Sequence, residues 1–325
     1  MMFDTQRIKT AFEKVRKELL ARRIDGHWVG RLSSSPLSTA TAISALSLYQ
    51  HNSASGERCF PLLEKSVNYL LQTQNADGGW GDTDKSFSNI STTLLVKSSL
   101  TLYQQSFHFS ADDFNQRGTL RRADAYIAAN GGIAAIKQRY GKDNTFSVPI
   151  LTNAALAGLA DWKDVPQLPF ERAVMPQWMF RLLNLQVVSY AIPALVAIGQ
   201  VRFYQTLLTK GACPLISIKR FPLTLRKLAI KPTLKLIARM QPGSGGYLEA
   251  APLTSFVAMS LLRAGNTVSR SQSEIIENCI KFLLDTVRED GSWAIDTNLA
   301  AWATTLSVNA LGKESFNEKE SEQLA

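Results

Sequence analysis

Apolar residues recur at intervals of three and four in two segments of the chain, Lys65–Gln74 and Ile276–Val287. This spacing predicts amphipathic helices that bury one face. Asn, Asp and Gly residues follow both segments and predict where the helices end. Two later segments are rich in small residues instead, with Ser and Thr in Ser91–Gln104 and mainly Ala and Thr in Leu299–Leu311. Because small side chains let helices approach closely, we expect inner helices there, surrounded by others.

A glycine followed two residues later by an aromatic residue separates the two kinds of helix. The pairs are Gly26/Trp28, Gly78/Trp80, Gly245/Tyr247 and Gly291/Trp293. Their spacing fits a repeat of about 50 residues, and strand signals are sparse. The pattern predicts an all-α fold of about six helical hairpins, either closed into an α/α toroid or stacked as a solenoid. We favour a single α/α-toroid domain spanning residues 1–325.

Two of the turns resemble a known repeat. Gln74–Trp80 (QNADGGW) satisfies the QxxxGxW repeat of the squalene-hopene cyclase and class II terpenoid cyclase superfamily, and Gln241–Tyr247 (QPGSGGY) matches it with tyrosine for tryptophan. Lys65, Tyr69 and Leu70 also match the residues that precede the repeat in that family. The resemblance implies that these motifs tie hairpins together and carry no chemistry.

The first and last turns depart from the family pattern, with Arg22 and Val287 where glutamine is expected. The chain as a whole resembles roughly the first half of a squalene-hopene cyclase. The family's other half carries a DxDD motif, whose central aspartic acid protonates the substrate. No DxDD occurs in these 325 residues.

Four carboxylic acids lie where an acid catalyst could be placed. Asp82, Asp84 and Asp296 each follow a Gly-x-Trp turn before an inner helix, and Glu249 lies two residues after Tyr247. Protonating an alkene needs an unusually strong acid inside an apolar cavity. The structural alternative is that these carboxylates cap helices or stabilise turns.

Aromatic rings could stabilise cationic intermediates in such a cavity. Phe87, Phe256 and Trp302 are the candidate substrate-binding residues. Trp80 and Tyr247 belong to the repeat and are expected to be structural.

The net charge of +9 is concentrated in one segment. Between Glu171 and Glu249 the sequence has eleven Lys and Arg residues and no Asp or Glu. The rest of the chain therefore carries 9 − 11 = −2, which argues against a general nucleic-acid coat.

Residues 185–240 predict a membrane-facing insertion within the toroid. Leu185–Gly199 is apolar but shorter than the roughly twenty residues that cross a bilayer. In Leu223–Met240, Leu and Ile recur at helical spacing with Lys and Arg between them, as in an interfacial helix on an anionic leaflet. A solvated basic face is the alternative. We expect a cytoplasmic protein, peripherally (monotopically) bound to an anionic membrane.

A protein prenyltransferase β subunit has a similar toroid but holds zinc through Asp, Cys and His. The three histidines, His27, His51 and His108, all lie in the first third of the chain and follow no Asp-x-Cys. We therefore expect neither a metal nor a cofactor. Three widely spaced cysteines also predict no disulfide framework.

Three functions remain open. The first is a squalene-hopene-cyclase-like terpenoid cyclase that protonates and cyclises an isoprenoid lipid, either squalene-like or a prenyl diphosphate. The second is a non-catalytic toroid that binds isoprenoid lipid or pairs with a partner chain carrying DxDD. The third is a helical interaction scaffold without a lipid ligand.

Overall fold

The computed structural model describes residues 4–52, 60–107, 118–141, 143–176, 178–179, 189–210, 223–265, 270–312 and 315–316. The chain divides into two compact units. The larger unit is Ser33–Ile295, and the smaller unit combines Met1–Leu32 with Asp296–Ala325. The expectation of a single domain over residues 1–325 stays a prediction.

Helices dominate the described residues, which contain no named strand. The α-helices are α1 (Thr5–Ala21), α2 (Pro36–Asn52), α3 (Phe60–Gln72), α4 (Ile90–Phe107), α5 (Thr119–Ala129), α6 (Gly132–Tyr140), α7 (Asn144–Leu156), α8 (Ile192–Lys210), α9 (Leu223–Met240), α10 (Ala251–Arg263), α11 (Arg270–Thr286) and α12 (Ala300–Leu311). Short 3₁₀ helices span Phe170–Val174, Ser189–Ala191 and Tyr247–Glu249. The predicted all-α fold class is confirmed.

Five helices of the larger unit form a closed ring. Helix α2 packs against α4, α4 against α7, α7 against α8 and α8 against α10, and α10 returns to α2. This closure favours the toroid over the solenoid. The predicted inner helix Ser91–Gln104 lies within α4, most of whose residues are buried.

The remaining helices of the larger unit pack outside this ring. Helix α3 lies against α2, and α11 lies against α10, each burying one apolar face. The two segments predicted as amphipathic helices with one buried face correspond to these two helices. Helix α9 contacts α8, α11 and the 3₁₀ helix Phe170–Val174.

A recurring hydrogen bond attaches each repeat turn to the helix before it. The indole Nε1 of Trp80 donates to the Leu70 carbonyl at 2.8 Å, and that of Trp293 donates to Leu283 at 2.9 Å. Tyr247 makes the equivalent bond through its hydroxyl, which donates to a carbonyl ten residues earlier at 3.0 Å. The tyrosine copy therefore preserves the function of the tryptophan.

The repeat glutamines connect successive helices. The amide of Gln74 donates to the Gly78 carbonyl at 2.9 Å and to Thr119, the first residue of α5, at 3.0 Å. Gln241 likewise donates to Gly245 at 3.0 Å and to a carbonyl of α11 at 3.2 Å. These contacts fit the scaffold role that the resemblance implies.

Gly78 shows why the turn requires glycine. Its φ of 86° lies in the left-handed region, and an added Cβ would stand 2.7 Å from the Arg122 carbonyl oxygen. A side chain there would strain the backbone and push away the next helix.

The smaller unit contains α1, α12 and the first Gly-x-Trp turn. Trp28 is buried, and its indole Nε1 donates to the Leu19 carbonyl at 2.7 Å. Its backbone N–H donates to the Thr304 hydroxyl of α12 at 3.0 Å. Although α12 has the composition predicted for an inner helix, only Ser307 and Leu311 are buried in it.

Candidate functional site

Asp82 lies in the turn between Trp80 and α4. Its Oδ1 accepts hydrogen bonds from the Asn89 amide at 2.8 Å and the Thr92 hydroxyl at 2.5 Å. Asn89 in turn accepts from the backbone N–H of Thr92 at 2.9 Å, as an N-cap does. These contacts stabilise the start of α4.

Asp84 lies two residues further along the same turn and is exposed. Its backbone N–H donates to the Ser34 carbonyl at 3.2 Å. Burial, followed by the charges of Asp84 and Asp290, raises the pKa of the Tyr69 hydroxyl. Asp84 thus acts electrostatically on a repeat residue.

Glu249 ends the 3₁₀ helix Tyr247–Glu249. Its Oε1 accepts a hydrogen bond of 2.5 Å from the Ser244 hydroxyl, which lies at the preceding turn. Leu248 and Glu249 both have φ of 54°, an uncommon conformation for residues other than glycine. The contact therefore helps to hold the repeat turn.

Asp296 belongs to the smaller unit. Burial raises the pKa of its carboxyl, which favours the protonated acid. The other three candidate carboxylates lie in the larger unit, with Asp82 and Asp84 in one turn and Glu249 in another.

The aromatic candidates lie in different environments. Phe87 is 97% exposed in the turn before α4, whereas Phe256 is buried in α10. Trp302 is 74% exposed on α12 of the smaller unit. The proposed roles of these three rings and the four carboxylates stay predictions.

A cleft of about 370 Å³ opens beside the start of α4. It is lined by Ser88, Asn89, Ile90, Tyr126, Asn130, Ala135, Gln138 and Arg139. Its lining includes the asparagine that binds Asp82, but the cleft is polar and therefore poorly suited to an isoprenoid chain. Over the described residues, no group of three His, Cys, Asp or Glu side chains is placed to hold a metal.

The basic segment contains one buried arginine, Arg226, whose contacts the sequence did not reveal. Arg226 donates to Glu171 at 3.1 Å and to the Leu168 carbonyl at 2.7 Å. Its guanidinium lies 4.9 Å from the ring centroid of Phe170 and 5.1 Å from that of Phe203. Arg226 therefore joins α9 to the ring helix α8 and faces inward. The available sequence signal was Glu171, the last acid before the basic segment.

The outward face of α9 carries both charge and apolar surface. Lys227, Lys231 and Lys235 are exposed, and Leu228 between them is 71% exposed. Several apolar residues of the predicted insertion, including Ile216 and Phe221, lie outside the described residues. Among the helices that the structure describes, none combines the length and apolar character that crossing a bilayer requires.

A closed helical ring with Gln, Gly and aromatic residues at its turns defines an α/α toroid of the terpenoid cyclase type. Residues 12–294 match the family described as the squalene-hopene cyclase N-terminal domain, and the chain belongs to this family.

Curated relatives agree with this assignment. A terpene cyclase–glycosyl transferase fusion protein of Humicola fuscoatra is 28% identical over 83% of this chain and 19% of its own length. A probable squalene–hopene cyclase of Sinorhizobium fredii is 30% identical over 54% of this chain and 24% of its own length. The chain thus matches less than a quarter of either relative.

A solved structure is also similar. A type II terpene cyclase from Scytonema matches 88% of this chain and 80% of its own at 14% identity, with a TM-score of 0.37. At these values the likeness carries no information about activity.

Proposed function

We propose that the chain is the non-catalytic toroid of a class II terpenoid cyclase system. It handles an isoprenoid lipid together with a DxDD-bearing partner and does not cyclise the lipid alone. The observation that supports this most is the role of Asp82, whose Oδ1 is engaged by Asn89 and Thr92 at the start of α4. The 325 residues contain no DxDD motif, so in this proposal that acid is supplied from outside them.

The proposal is tested by product analysis. The purified chain is incubated with squalene or geranylgeranyl diphosphate, alone and with the DxDD-bearing region of a matching relative, and products are identified by mass spectrometry. Product only in the mixture supports the proposal. Cyclised product from the chain alone contradicts it.

One observation favours a second candidate, in which this chain itself protonates the isoprenoid through Asp296. Because burial raises the pKa of Asp296, the acid stays protonated to higher pH than an ordinary aspartic acid. Activity carried by this group would be present at low pH and fall as pH rises through the raised pKa. Asp296→Asn should abolish such activity, with Asp285→Asn, at an exposed aspartate outside the candidate acids, as its control.

The membrane role rests on the outward face of α9. Arg226 is directed inward by Glu171, so the lysines and Leu228 remain available to an anionic leaflet. Lipid attachment suits a protein whose ligand dissolves in the bilayer. This would make the chain a peripheral membrane protein.

Vesicle flotation tests this surface. The chain should float with phosphatidylserine vesicles at low salt, and less at high salt because surface charges are screened. Lys227→Glu/Lys231→Glu should lose flotation, whereas Lys14→Glu/Lys17→Glu on α1 should keep it. Equal loss in both variants would mean that net charge, rather than α9, determines binding.

A further inference from the structure

Many buried hydroxyls of the ring helices are satisfied within their own helix. Ser98 donates to the Leu94 carbonyl at 2.7 Å, and Ser255 donates to Ala251 at 2.7 Å. Thr152 makes the same bond one turn back in α7, also at 2.7 Å. Such bonds let polar residues occupy a tightly packed ring.

Side chains near the C-terminal ends of four ring helices break this pattern. In the C-terminal halves of these described helices, the buried polar atoms without a hydrogen-bond partner belong to Ser47, Gln50, Gln104, Asn153 and Ser260. Asn153 is fully buried, and both its amide oxygen and its amide nitrogen are unpaired. Ser38, near the start of α2, also has an unpaired hydroxyl.

Hydrogen bonds between helices bring three of these helix ends to one side of the ring. The Ser106 hydroxyl of α4 donates to the Ser47 carbonyl of α2 at 3.1 Å. The Gln105 amide of α4 donates to the Ala157 carbonyl, directly after α7, at 3.2 Å. Helices α2, α4 and α7 therefore end side by side.

Helix α10 runs in the same direction as α2. The backbone N–H of Ser35 donates to Trp293 at 2.9 Å, and that of Ala251 donates to Ile295 at 3.0 Å, so both helices start beside one segment. With a rise of about 1.5 Å per residue, Ser47 and Ser260 lie about 17 Å and about 14 Å along their helices. The two hydroxyls are thus at similar height.

A buried polar group without a partner is costly, and native proteins usually satisfy such groups with protein or ordered water. The unpaired atoms near these helix ends are uncharged and include both hydrogen-bond donors and acceptors. We propose that the C-terminal end of the ring binds a cluster of ordered water molecules through Asn153, Ser47 and Ser260. A hydrated layer disfavours a long apolar ligand at this end of the ring.

Oxygen-17 water relaxation dispersion on the full chain tests this proposal because it detects long-lived internal water. Asn153→Leu should reduce that signal and lower the thermal unfolding midpoint, since the remaining water molecules lose their amide partners. Thr152→Val is the matched control, as its hydroxyl is already satisfied by Val148, and it should keep the signal.

An unchanged water signal in Asn153→Leu, or a raised unfolding midpoint, would overturn the proposal. Either result would mean that the Asn153 amide of the unaltered chain binds no internal water. If the variant does not fold, a high-resolution crystal structure of the unaltered chain decides. Water within hydrogen-bond distance of Asn153 supports the proposal, and a protein group or another molecule in that place overturns it.

Discussion

Helices α4 and α12 have similar compositions but different environments. Both combine apolar residues with small ones, Ser and Thr in α4 and Ala and Thr in α12, yet α4 is buried along most of its length and α12 buries only Ser307 and Leu311. Neighbours explain the difference, because α4 packs between α2 and α7 in the ring. Small side chains thus predict that a helix can pack closely against other helices. They do not predict whether other helices surround it.

The largest expected loss of stability is that of Trp80→Ala in the larger unit. Trp302→Ala on α12 is its counterpart in the smaller unit. Trp80→Ala should destabilise by about 3–5 kcal/mol, because it removes a buried ring and leaves the Leu70 carbonyl without its donor. Trp302→Ala should cost less than about 0.5 kcal/mol, since the side chain is mostly exposed. Urea unfolding measures both. Similar losses would show that α12 is as well covered as the ring.

Neighbouring cations on α9 extend the comparison to two faces of one helix. Arg226→Met should cost about 3 kcal/mol, because it leaves the Glu171 side chain, which is only 10% exposed, without its partner. Lys227→Met removes an exposed charge and should change stability by less than about 0.5 kcal/mol. Thermal unfolding distinguishes them, and equal effects would refute the inward orientation of Arg226.

Alanine substitutions at two glycines distinguish the stability cost of close packing from that of backbone strain. Gly78→Ala should destabilise by about 2 kcal/mol or more, because positive φ and contact with Arg122 act together. Gly158→Ala meets no atom within 4 Å and should cost about 1 kcal/mol for its positive φ alone. A cost at Gly78 no larger than at Gly158 would mean that the next helix yields easily.

The last effect appears only at alkaline pH. Burial, with a lesser contribution from Glu64, raises the pKa of Tyr103 in α4 to about 12. The folded state keeps this proton where the unfolded state loses it, so stability should fall as pH rises from about 10 towards 12. Tyr103→Phe should weaken this dependence in unfolding titrations. An unchanged slope would exclude Tyr103 as its source.

The repeat anatomy could be predicted from sequence because it depends on local signals. Helical periodicity identified α3 and α11, and the Gly-x-aromatic pairs identified turns such as the one at Trp80. Long-range partners could not be predicted in this way. The sequence pattern alone does not distinguish Arg226 from the surface cations of α9, because its contacts with Glu171 and the Phe rings join residues far apart in sequence.

The candidate site shows the same difference between features with a local sequence signal and features that depend on long-range packing. A supporting role for Asp82 at the start of α4 was foreseeable from the nearby Asn89, since Asn is a preferred N-cap residue that a carboxylate can hold in place. The raised pKa of Asp296 depends on burial, which no short motif encodes. The unpaired Asn153 likewise becomes visible only when the ring is assembled.

The closure of the ring between α2 and α10 is the central structural claim. Spin labels at Leu37→Cys in α2 and Leu253→Cys in α10, with Cys59 and Cys213 replaced by Ser, measure the distance between these two helices by pulsed electron paramagnetic resonance. Adjacent helix axes lie about 10 Å apart, so the closed ring predicts a short distance broadened by the label arms. Five helices in an open row would place the same positions about 40 Å apart, and that result would contradict the toroid.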